Sequence, residues 1–337
     1  MQEKQEVVVI TGASAGIGRA TARLFGKRRA KIGLIARGLE GLEATKREIE
    51  ELGGEALVLP LDVADHDAIE AAAARVEETF GPIDLWINNA MLSVFSPIME
   101  MTPDDYRRVT EVTYLGYVWG TLAALRRMKP RDRGTIVQVG SALAYRGIPL
   151  QSAYCAAKHA VQGFHDSLLS ELIHDGSHVK VVMVQMPAVN TPQFRWVKSR
   201  LPRKAQPVPP IFQPEMAADA ILWAARSNRR EVNVGWPASK AIVGNNFFPG
   251  YADRYLAKHG YEAQMVDEPE DPQRPNNLYE PLPGDAGAHG VFDDRACDVS
   301  VEMELNKRRP WLLTAAGVGV GLALLLLKGS RVARHPE

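Results

Sequence analysis

From Val7 to about Val234 the chain alternates short apolar, β-branched runs with longer helical stretches, and that alternation leaves few folds open. VVVIT (7–11), KIGLIA (31–36), ALVLP (56–60), LWIN (85–88), TIVQV (135–139), KVVMVQM (180–186) and EVNV (231–234) read as strands. IGRATARLFGKR and HDAIEAAAARVEETF are examples of the helical stretches between them. Continuous apolar runs, rather than strict polar–apolar alternation, predict strands buried on both faces. Strands separated by helices imply a parallel sheet with right-handed crossovers. The expected fold class is α/β, a doubly wound parallel sheet of about seven strands.

Charge and cysteine content narrow the function. The 40 Lys and Arg balance 40 Asp and Glu, so no global field draws in nucleic acid. Two cysteines cannot build a disulfide framework, which fits a reduced, intracellular compartment. The eight histidines show no ligand spacing, so no metal is expected.

The first strand runs directly into Thr11-Gly12-Ala13-Ser14-Ala15-Gly16-Ile17-Gly18 and then a helix. Glycines there allow a tight turn and close approach of a diphosphate, and the helix N-terminus offers free N–H groups. In this strand–turn–helix setting Gly12, Ser14, Gly16, Ile17 and Gly18 are candidate cofactor-binding residues. Downstream come Asp62-Val63, Asn88-Asn89-Ala90, Ser141, Tyr154-Cys155-Ala156-Ala157-Lys158 and Pro187 to Thr191, each after a successive strand.

With the spacing TGxxxGxG and YxxxK, this series resembles the compact branch of the short-chain dehydrogenase/reductase superfamily over roughly residues 6–240. The resemblance implies a Rossmann-like fold and hydride transfer between a nicotinamide and a carbonyl or alcohol. It implies that Asp62 and Val63 contact the adenine and that Asn89 and Ala90 line the cofactor. Pro187, Val189 and Thr191 belong to the family's PGxxxT segment, with Ala188 in the glycine position; Val189 and Thr191 would lie on the nicotinamide side. The second strand ends in Ile35-Ala36-Arg37, with no carboxylate to repel a 2′-phosphate and a guanidinium able to take one bidentately. NADP is therefore expected rather than NAD.

Tyr154 and Lys158, at i and i+4, share one helix face. Carbonyl reduction needs an acid, and a phenol of pKa about 10 works near neutrality when an ammonium favours its anion. Lys158 would supply that charge and, by the resemblance, hold the nicotinamide ribose. Ser141 would donate to the substrate oxygen. Similar enzymes carry a relay asparagine where this chain has Thr113, which predicts an altered proton relay. Cys155 is expected to pack rather than react.

Residues 192–214 are expected to form a lid with apolar Phe194, Trp196, Val197 and Phe212 and basic Lys198, Arg200, Arg203 and Lys204, suited to an apolar or lipid-like substrate and to anionic headgroups. Residues 262–304 hold twelve Asp or Glu against Arg274 and Arg295, with five prolines, and read as a tether or as a strap on the domain. Trp311 to Leu327 is uncharged for seventeen residues between basic flanks, a candidate transmembrane helix. The expected organisation is an oxidoreductase domain over 1–261, a tether over 262–310, a membrane helix over 311–327 and a basic tail over 328–337. The expected location is a single-pass membrane anchor with the catalytic domain facing the cytoplasm. The expected partners are a small carbonyl or alcohol substrate, the bilayer and a second copy of the chain, with no nucleic acid. The alternative reading is a catalytically silent dinucleotide-binding scaffold.

Overall fold

The structure, a computed structural model, describes residues 5–308. Seven parallel strands form its central sheet: β1 (Val7–Thr11), β2 (Lys31–Ala36), β3 (Glu55–Pro60), β4 (Leu85–Asn88), β5 (Thr135–Ser141), β6 (Lys180–Met186) and β7 (Glu231–Asn233). Their spatial order is β3-β2-β1-β4-β5-β6-β7. The order reverses between β1 and β4, and a crevice opens there at the C-terminal ends of the strands.

The apolar runs are continuous because each strand feeds two cores. In β1, Val8 and Ile10 join Phe25, Leu34 and Ile221 on one face, while Val7 and Val9 join Ile69, Trp86 and Ile136 on the other. Both sets are removed from water, as a period of two requires of a sheet covered twice. The covering helices are α1 (Gly16–Gly26), α2 (Leu39–Glu51), α3 (His66–Phe80), α4 (Pro103–Thr110), α5 (Gly116–Met128), α6 (Ser152–His174) and α7 (Pro214–Arg226). Thr102 starts α4 with a full capping box to Asp105, and a π-helical turn at Glu111–Leu115 joins α4 to α5.

Beyond β7 the chain forms α8 (Trp236–Phe247) and α9 (Pro249–His259). Residues 262–304, although acidic and rich in proline, run along the domain in fixed contacts. Met265–Pro269 pairs antiparallel with Arg203–Ala205, and Ala296–Cys297 pairs parallel with Ile211–Phe212. Leu278 and Met303 are buried in the two main cores.

The membrane location expected from the sequence is corrected. No helix among the described residues is long and apolar enough to cross a membrane. The longest described helix, α6, carries Lys158, Asp166 and Glu171 and packs within the domain. The run 311–327 lies outside the described residues.

Candidate functional site

A cleft of about 720 Å³ follows the crevice from the glycine turn to α6. Every sequence-predicted site residue except Gly18 lines it: Gly12, Ser14, Gly16 and Ile17, then Arg37, Asp62, Val63, Asn89 and Ala90, then Ser141, Tyr154, Lys158, Pro187, Val189 and Thr191. Gly18 acts from behind. A Cβ there would come within 2.1 Å of the Gly12 carbonyl oxygen, so only glycine lets α1 start this close to the turn. Gly12 itself has φ +70°, and a Cβ on it would meet the Ala90 backbone at 2.9 Å.

The turn is locked from below. Gly12 and Ala13 donate their N–H groups to the Ile35 carbonyl at 2.7 and 3.1 Å. The Thr11 hydroxyl accepts the N–H groups of Asn89 and Ala90 at 2.9 and 3.1 Å. The Asn89 amide donates to the Thr11 carbonyl at 3.0 Å. Helix geometry leaves the first amides of α1 without intrahelical partners; the Gly16 N–H meets the Gly287 carbonyl, and the positive dipole end of α1 faces the cleft.

At one end of the cleft, the half-buried Arg37 guanidinium donates to the backbone carbonyls of Asn277, Leu278 and Tyr279. Burial lowers its proton affinity, Asp62 partly restores it, and neighbouring Arg108 lowers it again. Arg108 forms an ion pair with Asp62 and donates to the Leu278 carbonyl at 3.0 Å.

At the other end, Ser141 closes β5 and Tyr154 and Lys158 project from α6. The Ser141 hydroxyl accepts the Leu143 N–H at 3.2 Å and, beside the Tyr154 phenol, draws its proton affinity down. Lys158 is 2% exposed; its Nζ donates to the Tyr117 hydroxyl at 2.9 Å and to the Val139 carbonyl at 2.8 Å. It lies 5.7 Å from the centre of the Tyr154 ring. Burial, acting almost alone, takes the lysine down from 10.5 to about 7. Burial also pushes the Tyr154 phenol up, partly countered by Ser141. Desolvation thus dominates the phenol's proton affinity in this structure.

Three residues that the sequence reading passed over shape the surroundings of the cleft. Tyr117, 1% exposed, accepts from Lys158 and donates to the Val139 carbonyl at 2.9 Å. Its position in an apolar helix gave no sign of this. Asn190, fully buried, holds Gln213 and Asp293 and accepts the Phe292 N–H at 3.1 Å. Arg19, 3% exposed, bridges Glu48 and Asp285.

Thr113 is fully buried, and its hydroxyl both donates to the Leu92 carbonyl and accepts the Leu92 N–H, each at 2.9 Å. Both functions of that hydroxyl are spent on the turn beside the cleft. Cys155 is 6% exposed and burial pushes its thiol up, the signature of a packing residue. The lid's positive charges are neutralised inside the chain: Lys198 and Arg200 bind the fully buried Asp105, Arg203 binds Glu262 and Lys204 binds Glu268. That pairing removes the reason to seat the lid on anionic headgroups.

Comparison with known proteins agrees with this geometry. The short chain dehydrogenase family profile matches residues 6–201. An uncharacterized oxidoreductase, YxnA of Bacillus subtilis, is 34% identical over 279 residues, which is 82% of this chain and 78% of that protein. A fatty acyl-CoA reductase of Acinetobacter baylyi is 32% identical over 240 residues, 70% of this chain and 79% of that one. Among solved structures, a metagenomic short-chain oxidoreductase in complex with NADP superposes with TM-score 0.57 at 30% identity, covering 68% of this chain and 96% of that one. With the glycine turn, the serine, the tyrosine and the lysine gathered on one cleft, the chain belongs to the short chain dehydrogenase family and is an oxidoreductase.

Proposed function

We propose that this oxidoreductase uses NADP and moves hydride between the nicotinamide and the carbonyl or alcohol carbon of a substrate with an apolar body. The observation that carries the reading is the joining of two chemistries by one cleft. At one end lies a glycine cradle beside an arginine whose nitrogens, among the described residues, bond only backbone carbonyls. At the other lie a serine and a phenol beside a buried amine.

The residues present fit such a cofactor. Gly12 and Gly18 let the turn and the start of α1 pack together, since a Cβ on either would come within 3 Å of backbone, and α1 offers amides to a diphosphate. Arg37 is desolvated beside Arg108, so an added anion would relieve both. Bound there, the nicotinamide supplies or accepts the hydride. The protein's share is the proton and the positioning. Ser141 holds the substrate oxygen, and Tyr154 donates to that oxygen during reduction. The reverse direction returns the proton to Tyr154. The solved relative's bound NADP supports the cofactor choice. The substrate end is lined by Leu92, Leu143, Ile148, Met186, Phe194 and Val197, which supports an apolar body.

The test is NADPH and NADH consumption by the purified chain with ketones and aldehydes of increasing length. Expected are a preference for NADPH of at least about tenfold and a kcat/KM that rises about fourfold per added buried methylene. A flat response to length would overturn the apolar substrate, and equal use of both nucleotides would overturn the cofactor choice.

Lys158 adds a pH dependence. Its ammonium is present below about pH 7 and lost above, so kcat/KM for NADPH declines above that pH. Tyr117→Phe removes one of the two acceptors of the ammonium. A hydrogen bond to a charged group is worth about 1.5 kcal/mol or more, so the decline moves to lower pH by about one unit. A purely packing role for Tyr117 would leave the profile in place.

A further inference from the structure

The acidic segment after α9 does more than lie on the surface. It crosses the cleft, and Asn277, Pro281, Leu282, Pro283, Gly284 and Asp285 form part of its lining. The family profile ends at residue 201, so this wall lies outside the part that the family defines.

The crossing is anchored on each side of the cleft. At the Arg37 end, Leu278 is 1% exposed within the core, and its carbonyl accepts from Arg108 while the three carbonyls of residues 277–279 accept from Arg37. On the α1–α2 side, Glu40 accepts the Gly284 N–H, Arg19 binds Asp285, and the Gly16 N–H donates to the Gly287 carbonyl at 3.2 Å. Ala288 then packs against Ala20 and Ala218. Toward the nicotinamide side, Gly290 donates to the Asn190 carbonyl, and a Cβ on Gly290 would lie 2.4 Å from the Asn190 side-chain oxygen. Several of these partners, Gly16 and Arg37 among them, are the groups that a dinucleotide would address.

Between its anchors the segment leaves space beneath. Residues of the glycine turn and residues 281–286 line the same 720 Å³ cleft. A segment in that place borders the site without filling it.

We propose that residues 277–287 form the outer wall of the cofactor site, latched across it by Asp285 on Arg19, so that the cofactor enters and leaves only when this strap lifts. The proposal rests on the cofactor reading above and deepens it. Arg19 is nearly enclosed and already shared with Glu48, so losing Asp285 leaves the guanidinium paired and the domain folded while the strap loses its ionic hold. The latch is placed over the diphosphate side, common to both nicotinamide dinucleotides, so it governs rates for NADPH and NADH alike.

Two variants of the full chain test it, with NADPH and NADH binding followed by stopped-flow fluorescence. The first is Gly38→Cys with Pro281→Cys. A Cβ on Gly38 would lie 3.6 Å from the Pro281 Cβ, inside the roughly 3.5–4.5 Å that a disulfide requires. Gly38 has an ordinary backbone conformation, φ −79°. Oxidised, this protein is expected to bind and release NADPH at least about tenfold more slowly than the same protein reduced. The second variant, Asp285→Ala, is expected to release NADPH and NADH about fivefold faster or more, because loss of a partly buried charge pair acts mainly on dissociation. Equal rates in the oxidised and reduced double variant, or an unchanged release rate in Asp285→Ala, would overturn the strap. If the two cysteines fail to bridge, Asp285→Ala decides alone. If the wild-type chain binds neither nucleotide, the cofactor reading falls, a result distinguishable from normal binding that ignores the latch.

Discussion

Tyr154→Phe lowers turnover of NADPH with a carbonyl substrate by about 10²–10⁴-fold, the range expected for loss of a general acid, while NADPH affinity stays within a few fold. The ring keeps its place at the start of α6, and the one group removed is the hydroxyl on the Ser141 side of the cleft. Cofactor affinity comes from elsewhere in the cleft, from the glycine turn and Arg37, which the substitution leaves untouched. Steady-state kinetics and a fluorescence titration on the same preparation separate the two quantities. Parallel loss of both would mean that the phenol supports the cleft rather than the chemistry; loss of neither would remove it from the reaction.

The sheet was legible because its physical cause is local. A strand covered on both faces has no polar position to spend, so VVVIT and KIGLIA announce themselves as continuous apolar runs, and they form β1 and β2 with the expected bounds. Ser141, Tyr154 and Lys158 were legible for a related reason: strand end and helix repeat are local geometry, and together they deliver three side chains to one cleft.

Charge environment was not legible. Nothing within a few residues of Lys158 says that its ammonium will be enclosed with Tyr117 from α5 and the Val139 carbonyl from β5, and that enclosure, more than the lysine–tyrosine spacing, governs both proton affinities. The segment 262–304 shows the same limit. Its acids and prolines describe a chain that cannot make a core of its own. Its order comes instead from guanidiniums 170 or more residues away, Arg19, Arg37 and Arg108, together with buried side chains such as Leu278, Phe292 and Met303. The lid's cations, read singly, look like a surface for anions; Lys198 and Arg200 instead meet the buried Asp105, while Arg203 and Lys204 pair with Glu262 and Glu268 at the surface.

Arg37 is where the cofactor reading and the strap meet, and Arg37→Ala separates them. As the ligand of a 2′-phosphate, Arg37 is worth about 1.5–3 kcal/mol to NADPH alone, or about 10–100-fold in its Kd. As the holder of the carbonyls of residues 277–279 it serves NADPH and NADH equally, because the strap is blind to the 2′ position. The ratio of the two dissociation constants therefore cancels the strap and reports the phosphate. Expected is a weakening toward NADPH of about 10–100-fold beyond any weakening toward NADH. Arg37→Lys sharpens the comparison. An ammonium keeps the charge that a phosphate needs but lacks the planar fork that spans three carbonyls. It should restore most of the NADPH preference while leaving release of both nucleotides faster than in the wild type. An Arg37→Ala protein that weakens toward both nucleotides equally would reduce this arginine to a strut for the strap, and the preference for NADP would need another donor.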